Sequence, residues 1–189
     1  MRSARFTAKI IVLLSAGTML CGCDFIYHLL QKEGAEEKKL IGDLVPSEAN
    51  PAVLEAQKLL KLFGQNVGKA DGKLGTRTRT SIAKFQEQQK LKVTRFLDNA
   101  TWENLHQFDA SGLVKNGDID IAVLQSALKR SGQYRGKVDR KMGPQTLNAV
   151  QEFQKRHKLK ADGNTGYRTL QALARYAFEE NSSAPVSGP

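Results

Sequence analysis

The sequence predicts an all-α chain: two tandem small three-helix bundles that follow an amino-terminal leader and a flexible spacer. Three observations carry this. The chain repeats itself without a gap at an offset of 68 residues, from Gln57 matching Gln125 through Phe108 matching Tyr176. Such internal repetition takes precedence over other organising signals. Apolar residues recur in both copies at helical rather than alternating spacing. Glycine-containing loops separate the apolar stripes at matched positions, Gly64 with Gly132, Gly68 with Gly136 and Gly75 with Gly143.

The first residues carry Arg2, Arg5 and Lys9 without an acid, then an apolar run from Ile10 to Leu20, then Cys21-Gly22-Cys23. Charge, grease and a small-residue site in that order read as a secretory signal over 1–22. The run is about half of the roughly 20 residues that span a bilayer. Its ending, Leu20-Cys21-Gly22-Cys23, resembles the bacterial lipobox. The resemblance implies that Cys23 receives a diacylglycerol thioether and becomes the first mature residue. Acyl chains contribute about 0.8 kcal/mol per buried methylene, enough to hold the protein at a membrane. Asp24 resembles the signal that keeps some Gram-negative lipoproteins in the inner membrane.

Residues 23–50 are polar and charge-mixed, without a sustained apolar period, and are expected to be spacer. Phe25-Ile26-Tyr27 with Leu29-Leu30 is expected to lie against the bilayer. With Cys21 removed and Cys23 acylated, no thiol remains for a disulfide, a zinc site or nucleophilic catalysis. Of the formal charge of +10, the leader's three basic residues account for three, leaving +7. In an exported protein that excess favours membrane head groups, wall polymers and stem-peptide carboxylates over nucleic acid.

The first module is expected over 51–108, a linker over 109–120, the second module over 121–178, and a disordered Ser- and Pro-containing tail over 179–189. Val53, Ala56, Leu60 and Phe63 mark helix one, answered by Ile121, Leu124 and Leu128. Helix two starts after Leu74-Gly75 and Met142-Gly143, with Pro144 suited to a first helical turn. Ile82, Phe85, Val150 and Phe153 are its expected core residues. Trp102, Leu105 and Phe108, then Leu170, Leu173 and Tyr176, mark helix three. Bundles of about 55 residues lie near the lower limit for an independent core.

Copy two reads Leu124-Gln125, Leu128, Gly132-Gln133-Tyr134-Arg135-Gly136-Lys137-Val138-Asp139, Gly143-Pro144-Gln145-Thr146, Phe153-Gln154 and Asp162-Gly163-Asn164-Thr165-Gly166. This resembles the peptidoglycan-binding domain type 1 pattern, which extends over residues 53–108 and 121–176. Copy one departs late, with Arg95-Phe96-Leu97-Asp98 where the family shows Asp-Gly-x-x-Gly, and with Thr76 in the proline position. Copy two has Arg140 where the family usually places glycine.

Most signature residues read as structural: Asp71 and Asp139 as turn holders, Gln86 and Gln154 as partners of loop carbonyls, Phe85 and Phe153 as core. The resemblance leaves a loop face of copy two for ligand, where Tyr134, Arg135, Lys137, Asn164, Tyr167 and Arg168 are expected to converge. Aromatic faces suit glycan rings, and Arg or Lys suits carboxylates. No catalytic residue, metal site or cofactor is expected beyond the lipid on Cys23. His28, His106 and His157 are scattered, with His157 expected as an exposed helix residue, and neither His-Glu-x-x-His nor Gly-x-Ser-x-Gly is present.

The expected function is that of a membrane-tethered, non-catalytic peptidoglycan-binding lipoprotein on the periplasmic or wall side. The alternative is a docking adaptor for a cell-wall enzyme or an envelope protein, since one scaffold hosts many functions. Nucleic-acid binding conflicts with export and lacks interleaved aromatic and basic residues.

Overall fold

The computed structural model describes residues 34–41 and 47–177. The expected leader, Cys23, the Phe25–Leu30 cluster, His28 and the tail all fall outside them. The described elements run α1 (Gly34–Ile41), α2 (Pro51–Leu62), α3 (Thr76–Gln88), α4 (Asn99–Leu105), β1 (Val114–Lys115), β2 (Asp118–Ile119), α5 (Ile121–Arg130), α6 (Pro144–Arg156) and α7 (Tyr167–Ala177). Helices α2–α4 form the first bundle and α5–α7 the second, matching the expected architecture.

Each bundle begins in the same way. Asn50 Oδ1 accepts from the N–H groups of Ala52 (2.8 Å) and Val53 (3.3 Å), and Asp120 Oδ1 accepts from Ala122 (2.9 Å) and Val123 (3.1 Å). Side-chain acceptors at this position satisfy donors that the helix leaves unpaired. Both first helices stop at a glycine in the left-handed region, Gly64 at φ 85° and Gly132 at φ 82°. The next N–H then folds back, Gln65 onto Leu60 O and Gln133 onto Leu128 O.

The expected stripes are in the core. Val53, Ala56, Leu60, Ile82, Phe85 and Leu105 are buried in the first bundle, and Leu124, Leu128, Val150, Phe153, Leu170 and Leu173 in the second. They belong to one continuous apolar cluster that crosses the boundary between bundles.

Two expectations need correction. The linker holds an antiparallel ribbon in which Val114 pairs with Ile119 and Lys115 with Asp118. Its turn residues Asn116 (φ 55°) and Gly117 (φ 78°) both take positive φ, the Asn-Gly geometry whose twist suits a two-residue hairpin. Leu113 and Val114 are buried, so this connection is part of the core. The expected spacer also contributes: α1 packs on α2 and α4, with Glu37 and Ile41 buried.

Candidate functional site

Four buried glutamines build the loops. Gln57 Nε2 donates to Asp71 Oδ1 (3.2 Å), Lys73 O (3.0 Å) and Thr78 Oγ1 (3.0 Å), while its Oε1 accepts from the N–H groups of Asp71 and Gly72. Gln125 repeats this with Asp139 (2.7 Å), Lys141 O (3.1 Å), Thr146 (3.0 Å) and the N–H groups of Asp139 and Arg140. Gln154 clamps the second loop of its module through Asp162, Asn164 O, Thr169 and the Gly163 N–H. Gln86 does so through Thr94, Phe96 O, Thr101 and the Thr94 and Arg95 N–H groups. Each amide uses both ends, as a buried amide must.

The clamps explain how the departing loops keep their shape. Thr94 Oγ1 accepts from Phe96 N–H at 3.2 Å, where Asp162 Oδ1 accepts from Asn164 N–H at 2.9 Å. Arg95 (φ 66°) takes the left-handed conformation of Gly163 (φ 76°), and Arg140 (φ 61°) that of Gly72 (φ 76°). The turn-holding aspartates are held below the usual carboxylate range. For Asp71 the main cause is the Lys73 N–H, then the Gln57 amide. For Asp139 it is the Gln125 amide, then the Lys141 N–H. For Asp162 it is the Asn164 N–H.

The six residues expected to share one ligand face divide into two groups. Tyr134 is 4% exposed, and its hydroxyl donates to Lys137 O at 2.8 Å, so it supports the loop from within. Arg135 and Lys137 are exposed on that first loop. Asn164, Tyr167 and Arg168 instead line a cleft of about 540 Å³ between the modules. The turn that follows α6 places Lys158, Leu159 and Lys160 on the same wall, and Gln171 follows one turn along α7. The first module supplies Phe63, Gln88 and Gln89 from the carboxyl ends of α2 and α3.

Tyr167 joins the two walls. Its ring meets Phe63 at 5.3 Å, Phe85 at 5.9 Å and Phe108 at 5.3 Å, all edge-on, so a second-module side chain completes the first module's aromatic core. Gly166, which stands where copy one has Asp98, puts no side chain into the junction. Lys160 reaches Asp162 at 3.4 Å but remains exposed, and Arg168 is also exposed.

Lys158, Lys160, Gln88, Gln89 and Gln171 were not among the expected site residues. The repeated Lys90-Leu91-Lys92 and Lys158-Leu159-Lys160 was a visible signal, but only the junction gives the second its setting. His157, expected to be exposed, is half-buried, with its ring 4.1 Å from Phe153. Desolvation, then the nearby Arg175 and Arg156, hold its pKa below the ordinary histidine value. Among the described residues, no three His, Cys, Asp or Glu side chains gather as metal ligands, and no helix is long and apolar enough to cross a membrane.

Comparison with known proteins places this geometry. A family model described as "Putative peptidoglycan binding domain" matches residues 49–105 and 118–173. The chain is 35% identical over 132 residues to the N-acetylmuramoyl-L-alanine amidase CwlM of Mycobacterium tuberculosis, covering 58% of this chain and 32% of that protein. It is 40% identical over 65 residues to a spore cortex-lytic enzyme of Bacillus cereus, covering 34% of this chain and 25% of the relative. The chain thus spans about a third or less of the length of these relatives. No solved structure matches it. With both copies matched over more than half of its length, the chain belongs to the peptidoglycan binding domain family.

Proposed function

We propose that this protein is a non-catalytic wall-binding lipoprotein, exported, held at a bacterial membrane through a lipid on Cys23, and attached to peptidoglycan through its paired modules. The observation that carries the reading is the tandem match to the peptidoglycan binding domain over 49–105 and 118–173. The relatives, an amidase and a cortex-lytic enzyme by name, support the same polymer as partner. The Leu20-Cys21-Gly22-Cys23 sequence supports the anchor. Membrane at one end and wall at the other make the protein a tie between the two layers.

The test is sedimentation of the chain from Asp24 onward, which contains every described residue, with purified protein-free peptidoglycan at near-physiological salt. Pelleting supports wall binding. A folded protein that stays in the supernatant overturns it and moves the search to an envelope protein partner. Incorporation of labelled palmitate that is lost in Cys23→Ala tests the anchor separately.

A further inference from the structure

The repeat suggests two equal binding units, whereas the packing makes one unequal pair. In copy one, the face around Arg79, Leu97 and Asn99 is covered by α1. Glu37 Oε1 accepts from the Leu97 N–H at 2.9 Å and pairs with Arg79 at 3.0 Å, and Glu36 lies 3.4 Å from the Asn99 N–H. In copy two the matching positions are Leu147, Thr165 and Tyr167, and Tyr167 is turned onto the first module. Of these three positions only Tyr167 reaches the junction, where it lines a polar cleft of about 540 Å³ between the modules. That volume lies within the range of small-molecule pockets and suits a short segment of a polymer.

The cleft's chemistry is one-sided. Lys158, Lys160 and Arg168 stand on the second-module wall, with Asp162, already engaged by Lys160, the Asn164 N–H and the Gln154 amide, as the carboxylate among the lining residues. The first-module wall is uncharged, with Gln88 and Gln89 offering amides. Cations on one wall suit carboxylates, and amides on the other suit hydroxyl and acetamido groups.

We infer that the junction between the modules is the wall-recognition site, and that it takes a carboxylate-bearing glycopeptide segment with both modules contributing. This rests on the wall-binding reading above and deepens it. Each copy then serves the other, and neither carries a complete site.

The experiment compares pelleting on three peptidoglycan preparations: untreated, carboxyl-amidated, and stripped of stem peptides by an amidase. Lys160→Glu, Arg168→Glu and Gln89→Glu should each weaken retention on untreated material about tenfold, the scale of one lost charge contact. Gln89→Glu matters most, because it alters the first module while leaving every second-module cation in place. Charge-matched Lys84→Glu and Lys115→Glu, outside the cleft, should leave retention unchanged. Wild-type retention should fall on amidated material. Loss of retention on stripped material, although the amidase leaves a new lactyl carboxylate on the glycan, assigns the carboxylate to the stem peptide. Retention there that is abolished by amidating the stripped glycan shows instead that a glycan-borne carboxylate is sufficient.

If the wild type pellets but the three cleft variants match the controls, or only Arg135→Glu with Lys137→Glu weakens it, the junction site is overturned and wall binding stands. Equal retention on amidated and untreated material overturns the carboxylate. If the wild type itself does not pellet, wall binding fails and this inference falls with it.

Discussion

Glu37 and Arg79 form an ion pair at 3.0 Å with side-chain exposures of only 1% and 2%, joining a short helix to a bundle 42 residues away in sequence. Arg79 also donates to Arg95 O at 3.4 Å and lies 5.1 Å from the centre of the Phe96 ring, so its charge is held on several sides. Removing one partner leaves the other charge buried, which costs far more than the intact pair contributes. Glu37→Ala should destabilise the fold by about 3 kcal/mol, limited by the option of releasing α1. Arg79→Leu, the residue copy two has at Leu147, should cost at least as much alone and much less beside Glu37→Leu. Urea titration followed by Trp102, the single tryptophan, reads all three. Equal losses in the single and double variants would show that the pair does not hold α1.

Gln125→Ala removes the amide with which six groups in and around one loop pair, the buried Thr146 and Tyr134 hydroxyls among them. The expected loss is about 2–4 kcal/mol. Gln125→Glu, nearly the same shape, should also be destabilising, because a carboxylate cannot donate to Asp139, Lys141 O and Thr146 and repels Asp139. Thermal melting of both variants checks this. A silent Gln125→Glu would mean that the amide donor is dispensable.

Arg140 and Arg95 sit in the left-handed region, where a side chain costs about 1–2 kcal/mol and glycine does not. Glycine loosens the unfolded chain by about 0.5–1 kcal/mol. Arg140→Gly should therefore stabilise by about 0.5–1 kcal/mol net. The reverse change, Gly163→Ala, should destabilise, since its Cβ would stand 2.5 Å from Leu147 Cδ1 as well as taking a strained φ. Denaturation midpoints of the two variants should move in opposite directions.

Stability should fall towards acid in two windows. His157 has a folded pKa below 6.5, so the unfolded chain takes up the proton first, and its contribution, complete above 6.5, is lost as pH falls below that value. Asp71, Asp139 and Asp162 also have folded values below their ordinary 3.8, so their contribution is complete above 3.8 and lost as pH drops through the lowered values. His157→Gln should flatten the upper window and leave the lower one. A profile rising towards acid in the upper window would contradict the assigned sign.

The bundles were legible because helical periodicity, caps and a repeated register all point to the same elements. Asp71 and Asp139 hold their turns as the sequence suggested, and Gln86 and Gln154 do meet loop carbonyls. Helix α1 was not legible, since one buried acid in eight residues reads as a solvated face until its distant arginine is placed. The departure from the repeat, Arg79 against Leu147, was its one trace. The ribbon did have a local signal, Asn116-Gly117 between Val114-Lys115 and Asp118-Ile119, but two residues on each side are too few for alternation to mark a strand. Tyr134 and Tyr167 looked alike as exposed aromatics in loops. Only tertiary packing separates the one buried beneath its own loop from the one spanning the junction.

Tyr167 ties the two modules together, because three of the first module's phenylalanines pack against a ring that the second module supplies, and the pair should therefore unfold as a single cooperative unit. Wild-type unfolding should be one transition, with Trp102 fluorescence, which reports the first module alone, coinciding with the helical signal of the whole. Tyr167→Ala leaves a gap among Phe63, Phe85 and Phe108, and should cost about 2–3 kcal/mol for a half-buried aromatic. The first module should then melt ahead of the second, so that the two signals separate. Tyr167→Phe keeps the ring contacts and should keep the signals together. If they stay coincident in Tyr167→Ala, the buried Leu113–Val114 ribbon is sufficient to couple the modules, and the aromatic junction shapes the cleft without governing cooperativity.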